Sequence, residues 1–185
     1  MTHKILSILF LFIACFELSA QQQFIGVNIN SEKKGNANLK LGFGVFYEYQ
    51  LSKHHGFEID LNYRSKNEKM WLPISVSNND EQLFEIRESY LTMPVLYKFY
   101  SNVINVSTGI TFDYFIGWNS ITKVENMKLT SYSINPKLYV GWAFRISKSI
   151  PLSPKFILEP EIQLNPIFKY DYCYYGIGVK LKYKL

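Results

Sequence analysis

The stretch Gly-Ile-Gly-Val-Lys-Leu-Lys-Tyr-Lys-Leu (residues 176–185) alternates between apolar and basic side chains. Val179, Leu181 and Tyr183 fall on one side of an extended chain, and the lysines between them fall on the other, because side chains in a strand alternate between two faces. The segment therefore predicts a strand with one face against an apolar environment and the other against a polar one.

The same two-residue period recurs through most of the chain. Taken together, the segments predict an all-β protein, an eight-stranded antiparallel up-and-down transmembrane β-barrel, since outer-membrane barrels show repeated alternating segments of about ten residues. The predicted strands lie near residues 24–30, 39–51, 57–64, 84–100, 104–114, 137–146, 156–165 and 176–185.

The first twenty residues have the pattern of a secretory signal peptide. Lys4 precedes a mostly apolar run over residues 5–16, and Ala20 ends a plausible cleavage site. Lipidation at Cys15 is the alternative outcome for this segment. We therefore expect a signal peptide over residues 1–20 and one outer-membrane β-barrel domain over residues 21–185. Since no other apolar run approaches 18 residues, strands must make any membrane crossing.

Composition limits the class of protein further. The formal net charge is +5, and the basic residues are spread along the chain rather than clustered, which argues against a nucleic-acid partner. Cys173 would be the only cysteine left after cleavage, so no intramolecular disulfide is expected. The 14 Tyr and 14 Phe suit both strands and the aromatic girdles of outer-membrane barrels.

The connections between predicted strands differ in length. Long polar connections at residues 31–38, 65–83 and 119–129 alternate with short ones at 52–55 and 101–102. Outer-membrane barrels have long extracellular loops and short periplasmic turns, so the long set is predicted to be extracellular. Trp71 and Leu72 are candidate partner contacts in the second long loop, and the alternative is that they extend the third strand above the membrane.

The apolar face is predicted to point outward, to lipid. It carries too many large side chains for an eight-stranded interior, whereas the polar face has glycines and charges of both signs. Replacing Phe43 or Val45 by lysine should impair insertion into the membrane, whereas Gly42→Ser should have a mild effect.

Buried charges require partners, and the charges of the polar face therefore predict a lumen filled by ion pairs. The candidates for this network are Lys40, Glu48, Glu58, Asp60, Arg64, Lys98, Asp113, Lys137, Arg145, Glu159, Glu161 and Lys180.

One strand carries a more specific motif, Glu-Ser-Tyr-Leu-Thr-Met-Pro-Val-Leu-Tyr-Lys (residues 88–98). It resembles the tyrosine-leucine-x-isoleucine-proline-(apolar)-lysine strand of PorT-like outer-membrane β-barrel proteins of Bacteroidetes. The resemblance implies the fold and the location, and it implies little about function. Because proline lacks a donor for the strand ladder and a closed barrel has no edge, Pro94 is predicted to mark a bulge or bend.

Patterns for catalysis are weak. His54 and His55 fall in a predicted periplasmic turn and lack metal-ligand spacing, and there is no nucleophile elbow or phosphate-binding glycine loop. We expect no enzyme, metal or cofactor.

The predicted function is that of a small monomeric outer-membrane barrel with a plugged polar lumen. Its role would be structural, adhesive or accessory, and its partners would be outer-membrane lipid and a protein at the extracellular loops. The alternatives are a lipid-modifying barrel enzyme and a soluble periplasmic lipocalin-like carrier.

Overall fold

The computed structural model describes residues 22–34, 40–73, 81–121, 137–168 and 173–185. The predicted signal peptide and Cys15 lie outside these residues. The described residues contain nine strands, and the seventh has only two residues. They are β1 (Gln22–Lys34), β2 (Lys40–Gln50), β3 (His55–Pro73), β4 (Glu81–Phe99), β5 (Asn105–Ser120), β6 (Leu138–Ser147), β7 (Ile150–Pro151), β8 (Phe156–Pro166) and β9 (Cys173–Lys184).

The sheet closes on itself. Strands β1 to β6 pair in chain order, β1 also pairs with β9, β9 with β8, and β8 with β6, all antiparallel. The short β7 pairs with the start of β8 and lies within the connection between β6 and β8. The predicted eight-stranded antiparallel barrel is confirmed. Among the described residues, no helix is long and apolar enough to span a membrane.

Burial alternates residue by residue along the strands. On β6, Tyr139, Ala143 and Arg145 are buried, whereas Val140 and Trp142 between them are exposed. Across the barrel, the exposed positions carry the large apolar side chains and the buried positions carry most of the charges. This is the reverse of a water-soluble protein, and it matches a barrel whose outer face contacts lipid.

β3 and β4 are longer than the sequence pattern predicted. β3 continues to Pro73 and β4 begins at Glu81, so the loop boundary predicted at residue 65 was wrong. The backbone of Trp71 and Leu72 belongs to β3, opposite Leu83 and Gln82. Their role as partner contacts stays a prediction.

The other long connections are also shortened by strand. β1 reaches Lys34, past the predicted end at residue 30, and β5 reaches Ser120. The remainders of these predicted loops fall mainly in residues 35–39 and 122–136, outside the described part of the chain.

The β3–β4 ladder is interrupted opposite Pro94. Ile59 pairs with Val95 and Asn62 with Thr92, and the two positions between them are skipped without a change of register. The register shift of β4 lies at Ser89 and Tyr90 instead, on the side facing β5. There is therefore no bulge at Pro94, and the alternative, a local bend, stays a prediction. The missing donor of proline interrupts the pairing, and it does not insert a residue.

The inward-facing Gly42 has almost no free space. A Cβ atom at this position would lie 2.8 Å from the Tyr63 carbonyl oxygen and would also collide with the Asn30 side chain. The expectation that Gly42→Ser is mild was wrong, because a serine could fit only if the backbone of β3 moved.

Candidate functional site in the barrel lumen

A single ammonium group joins three carboxylates at the periplasmic end of the lumen. Lys98 Nζ on β4 lies 2.8 Å from Glu48 of β2, 3.1 Å from Glu58 of β3 and 2.5 Å from Glu159 of β8. All four side chains are fully buried. The alternation of each strand turns these residues inward, and closure of the sheet brings four strands to one point. We call this set the Lys98 cage.

Three further cations extend the cage. Lys180 contacts Glu58 and lies 3.0 Å from Glu161, and Lys182 lies 2.7 Å from Glu48 and also contacts Glu159. Arg145 places one guanidinium nitrogen 2.6 Å from Asp60 and 2.9 Å from Glu58. These cations come from β6 and β9, so the ion pairs cross the lumen between its opposite walls. Such pairing makes burial of these charges tolerable.

A second charged cluster lies farther toward the extracellular end. Arg64 of β3 donates to Asp113 of β5 at 2.8 Å and to Glu32 of β1 at 3.1 Å, and its Nε lies 2.6 Å from the second Glu32 oxygen. The amide of Asn165 donates to Glu32 at 3.0 Å. The guanidinium also lies over the Tyr174 ring, 4.7 Å from its centroid. The planar fork of arginine suits this two-carboxylate arrangement.

Uncharged polar side chains occupy the lumen between the Lys98 cage and the Arg64 cluster. Aromatic rings lie beyond the Arg64 cluster, toward the extracellular end. The polar layer is buried and comprises Asn28, Asn30, Asn62, Thr92, Thr111 and Gln163. The aromatic layer comprises Tyr90, Phe115, Tyr139 and Tyr174, with Ile167 packed among them. Tyr90 donates a hydrogen bond to Glu88 at 2.7 Å, and Lys66 Nζ lies 2.7 Å from the same carboxylate oxygen.

The structure brings most of the candidate network residues into these two clusters. Lys40 and Lys137 differ from the rest. Lys40 is half-buried at the start of β2, opposite Glu32 in register, and Lys137 is exposed just before β6. Within the described part of the chain, no ion pair links either lysine to the clusters. Those in the clusters are Glu48, Glu58, Asp60, Arg64, Lys98, Asp113, Arg145, Glu159, Glu161 and Lys180.

Sequence reasoning missed several members of the lumen. Lys182 is two residues from Lys180 and therefore faces the same side of the strand, so the sequence pattern could have placed it in the lumen. Glu32 continues the inward parity of Asn28 and Asn30, but the predicted end of the first strand excluded it. Glu88, which faces Lys66 across the β3–β4 pair, was quoted only as part of the motif.

Three carboxylates of the cage could by spacing hold a metal ion. Ligand oxygens of Glu48, Glu58 and Glu159 lie within 4.8 Å of one another. However, the Lys98 ammonium already lies among them as their cation. The arrangement therefore supports a structural ion-pair network better than a metal site.

Comparison with known proteins gives the fold a family. A family model described as an outer membrane protein beta-barrel domain matches residues 16–165. The outer membrane protein OprG from Pseudomonas aeruginosa has a similar structure, with 10% identity, coverage of 90% of this chain and 97% of OprG, and a TM-score of 0.58. A major outer membrane protein from Thermus thermophilus gives 10% identity, coverage of 88% and 99%, and a TM-score of 0.51.

Neisserial surface protein A is similar at 9% identity, with coverage of 88% of this chain and 97% of that protein and a TM-score of 0.51. No curated protein matches the chain. Identities this low show the fold alone. The family match, however, spans most of the sequence and agrees with the outward apolar face. The protein is located in the outer membrane, and the chain belongs to the outer membrane protein β-barrel domain family.

Proposed function

We propose that this protein is a monomeric outer-membrane barrel with a plugged lumen that acts through its extracellular end, in a structural, adhesive or accessory role. The observation that carries the plugged lumen is the Lys98 cage. Its ion pairs connect β2, β3, β4 and β8, and Lys180 and Arg145 extend them to β9 and β6. An eight-stranded interior is just wide enough for side chains to fill. A charged network across it leaves no room for a wide aqueous channel.

The plug can be tested by conductance. The purified barrel, reconstituted in a planar lipid bilayer, should give no stepwise current, because paired side chains occupy the lumen. A variant combining Lys98→Ala, Glu48→Ala and Glu159→Ala should give small steps, since it removes three buried side chains from the Lys98 cage. A band shift on heating checks that each sample is folded. Channel steps from the unmodified barrel would contradict the plug.

The extracellular role rests on the part of β3 and β4 beyond the apolar band. Outward positions are apolar up to Tyr63 and Leu91, and then become polar at Asn67, Lys69 and Arg87. From residue 64 to residue 73, β3 adds about 33 Å of strand at about 3.3 Å per residue. A hairpin of this length projects from the membrane, where loops of such scaffolds carry function.

The hairpin allows a second test. Lys66 lies directly opposite Glu88, so residues 67–87 can be replaced by an Asn-Gly turn that joins them. The shortened protein should keep its heat-dependent band shift, yet fail to restore adhesion or barrier function to cells that lack the protein. The matched control, Lys69→Gln with Arg87→Gln, retains the hairpin and should restore both. Full restoration by the shortened protein would contradict a role for this hairpin.

The two alternative functions have less support. A soluble carrier needs an apolar interior, whereas the described inward positions are largely charged or polar. A lipid-modifying enzyme needs a nucleophile and base at the outer leaflet. His54, however, lies in the β2–β3 turn and His55 begins β3 beside it, and His54 Nδ1 is 3.1 Å from the Tyr100 carbonyl oxygen. The proposal therefore includes no catalytic step.

The PorT-like affiliation with Bacteroidetes belongs to the proposal as well. It rests on the residue 88–98 motif. Two motif residues have clear structural roles, since Tyr90 packs in the aromatic layer and Lys98 forms the central ion pairs of the Lys98 cage. These roles give a physical reason for tyrosine and lysine at the two positions, and they carry no role in secretion or motility.

A further inference from the structure

An apolar groove of about 710 Å³ crosses the outer face of the barrel. It runs between two rows of outward side chains that the strand register places side by side. The first row consists of Phe156, Tyr183, Ile25, Tyr47 and Ile59. The second row consists of Leu181, Val27, Val45, Leu61 and Met93.

The groove begins at one rim of the barrel and ends near its middle. Phe156 is the first residue of β8, next to a short turn, whereas Met93 is central in β4. The short turns mark the periplasmic rim in outer-membrane barrels. Five strand-to-strand steps of about 4.8 Å make the groove about 24 Å long. With strands tilted by about 40°, it climbs about 15 Å, half of a hydrocarbon core about 30 Å thick.

The rim end of the groove is polar. Lys155 is exposed, and its Nζ lies 3.3 Å from the Tyr183 hydroxyl and 5.6 Å from the centroid of the same ring. The Tyr47 hydroxyl donates to Gln23 Oε1 at 3.2 Å, also near this rim. Both tyrosines thus direct their hydroxyls toward the headgroup level while their rings line the groove.

We propose that this groove binds one acyl chain of an anionic phospholipid of the periplasmic leaflet, with the headgroup phosphate on Lys155 and the Tyr183 hydroxyl. The apolar length matches one leaflet, and the ammonium and phenol at its end are donors suited to a phosphate. Free phosphate would use only the rim end. This site is independent of the plugged lumen and of the extracellular hairpin.

Native mass spectrometry of the detergent-purified barrel tests the headgroup contact. Dioleoylphosphatidylglycerol should remain bound at lower concentration than dioleoylphosphatidylcholine, which has the same chains. Lys155→Gln should weaken phosphatidylglycerol retention about fivefold, the ratio for about 1 kcal/mol per lysine. The matched control is Lys148→Gln, which removes an exposed lysine from the same β6–β8 connection. Unlike Lys155, Lys148 makes no contact with Tyr183 among the described residues. Equal losses in the two variants, or equal retention of the two lipids, would overturn the proposal.

The acyl-chain contact has its own variants. Val27→Trp fills the groove and should reduce retention of phosphatidylglycerol several-fold, whereas Ile110→Trp on outward β5 should not. Both replace one exposed apolar side chain with a larger apolar one, so insertion should be preserved, and the band shift on heating verifies it. Unchanged retention in Val27→Trp would show that the chain binds elsewhere. Inorganic phosphate that competes as well as the whole lipid would also contradict the groove.

Discussion

Lys98→Met should destabilise the folded barrel by about 3–5 kcal/mol, the usual cost of removing one partner from a buried ion pair. The variant leaves Glu48, Glu58 and Glu159 without their shared ammonium while all three remain buried. Methionine preserves much of the volume of lysine, so the loss reports on charge more than on packing. The measurement is urea unfolding of the barrel in lipid vesicles, followed by the band shift on gels.

Two further variants make this result specific. Lys148→Met removes an exposed lysine and should change the free energy of unfolding by less than about 0.5 kcal/mol. Adding Glu159→Gln to Lys98→Met removes one of the orphaned negative charges and should recover part of the loss, because neighbouring charges do not act additively. If Lys98→Met matched the Lys148→Met control, the cage would not stabilise the barrel.

Val45→Lys should destabilise the inserted barrel by about 2–4 kcal/mol, the cost of a lysine on the lipid face near the bilayer midplane. Val45 is central in β2 and its side chain is 55% exposed on the outward face. The position-matched control is Leu41→Lys, on the same strand and face but near the extracellular end. It should cost about 0–1 kcal/mol, since the penalty falls toward the interface.

The same vesicle unfolding assay measures both β2 variants. A larger loss for Val45→Lys than for Leu41→Lys would establish depth in the membrane as the cause. Equal losses at the two positions would mean that the bilayer midplane does not lie at Val45. No loss in either variant would contradict the outward face of β2.

The pattern along the chain was enough to predict the barrel, its strand number and its location. Val179, Leu181 and Tyr183 already separate an apolar face from the lysines between them, and each strand repeats that separation. The volume of the apolar side chains also predicted which face meets lipid, because an eight-stranded interior cannot hold them. Both predictions use only local periodicity and size.

Strand ends were harder to predict. The outward positions of β3 turn polar beyond Tyr63, so the apolar alternation stops ten residues before the strand does at Pro73. Glu32 was lost in the same way at the end of β1. Beyond Tyr63 the apolar residues of β3 come as a run at residues 70–72 and no longer alternate with polar ones. The two-residue hydrophobic period therefore no longer distinguishes strand from loop.

The sequence by itself determined which residues face the lumen, because every second side chain of a strand points to the same face. Only the tertiary structure decided which of them meet. Lys98 and Glu159 are 61 positions apart and share no local pattern, yet their charged atoms lie 2.5 Å apart. The stagger between strands sets the height of each side chain in the closed barrel, and that stagger is a property of the whole ring. For the same physical reason, the outer groove ending at Lys155 emerges only once the strand registers are fixed.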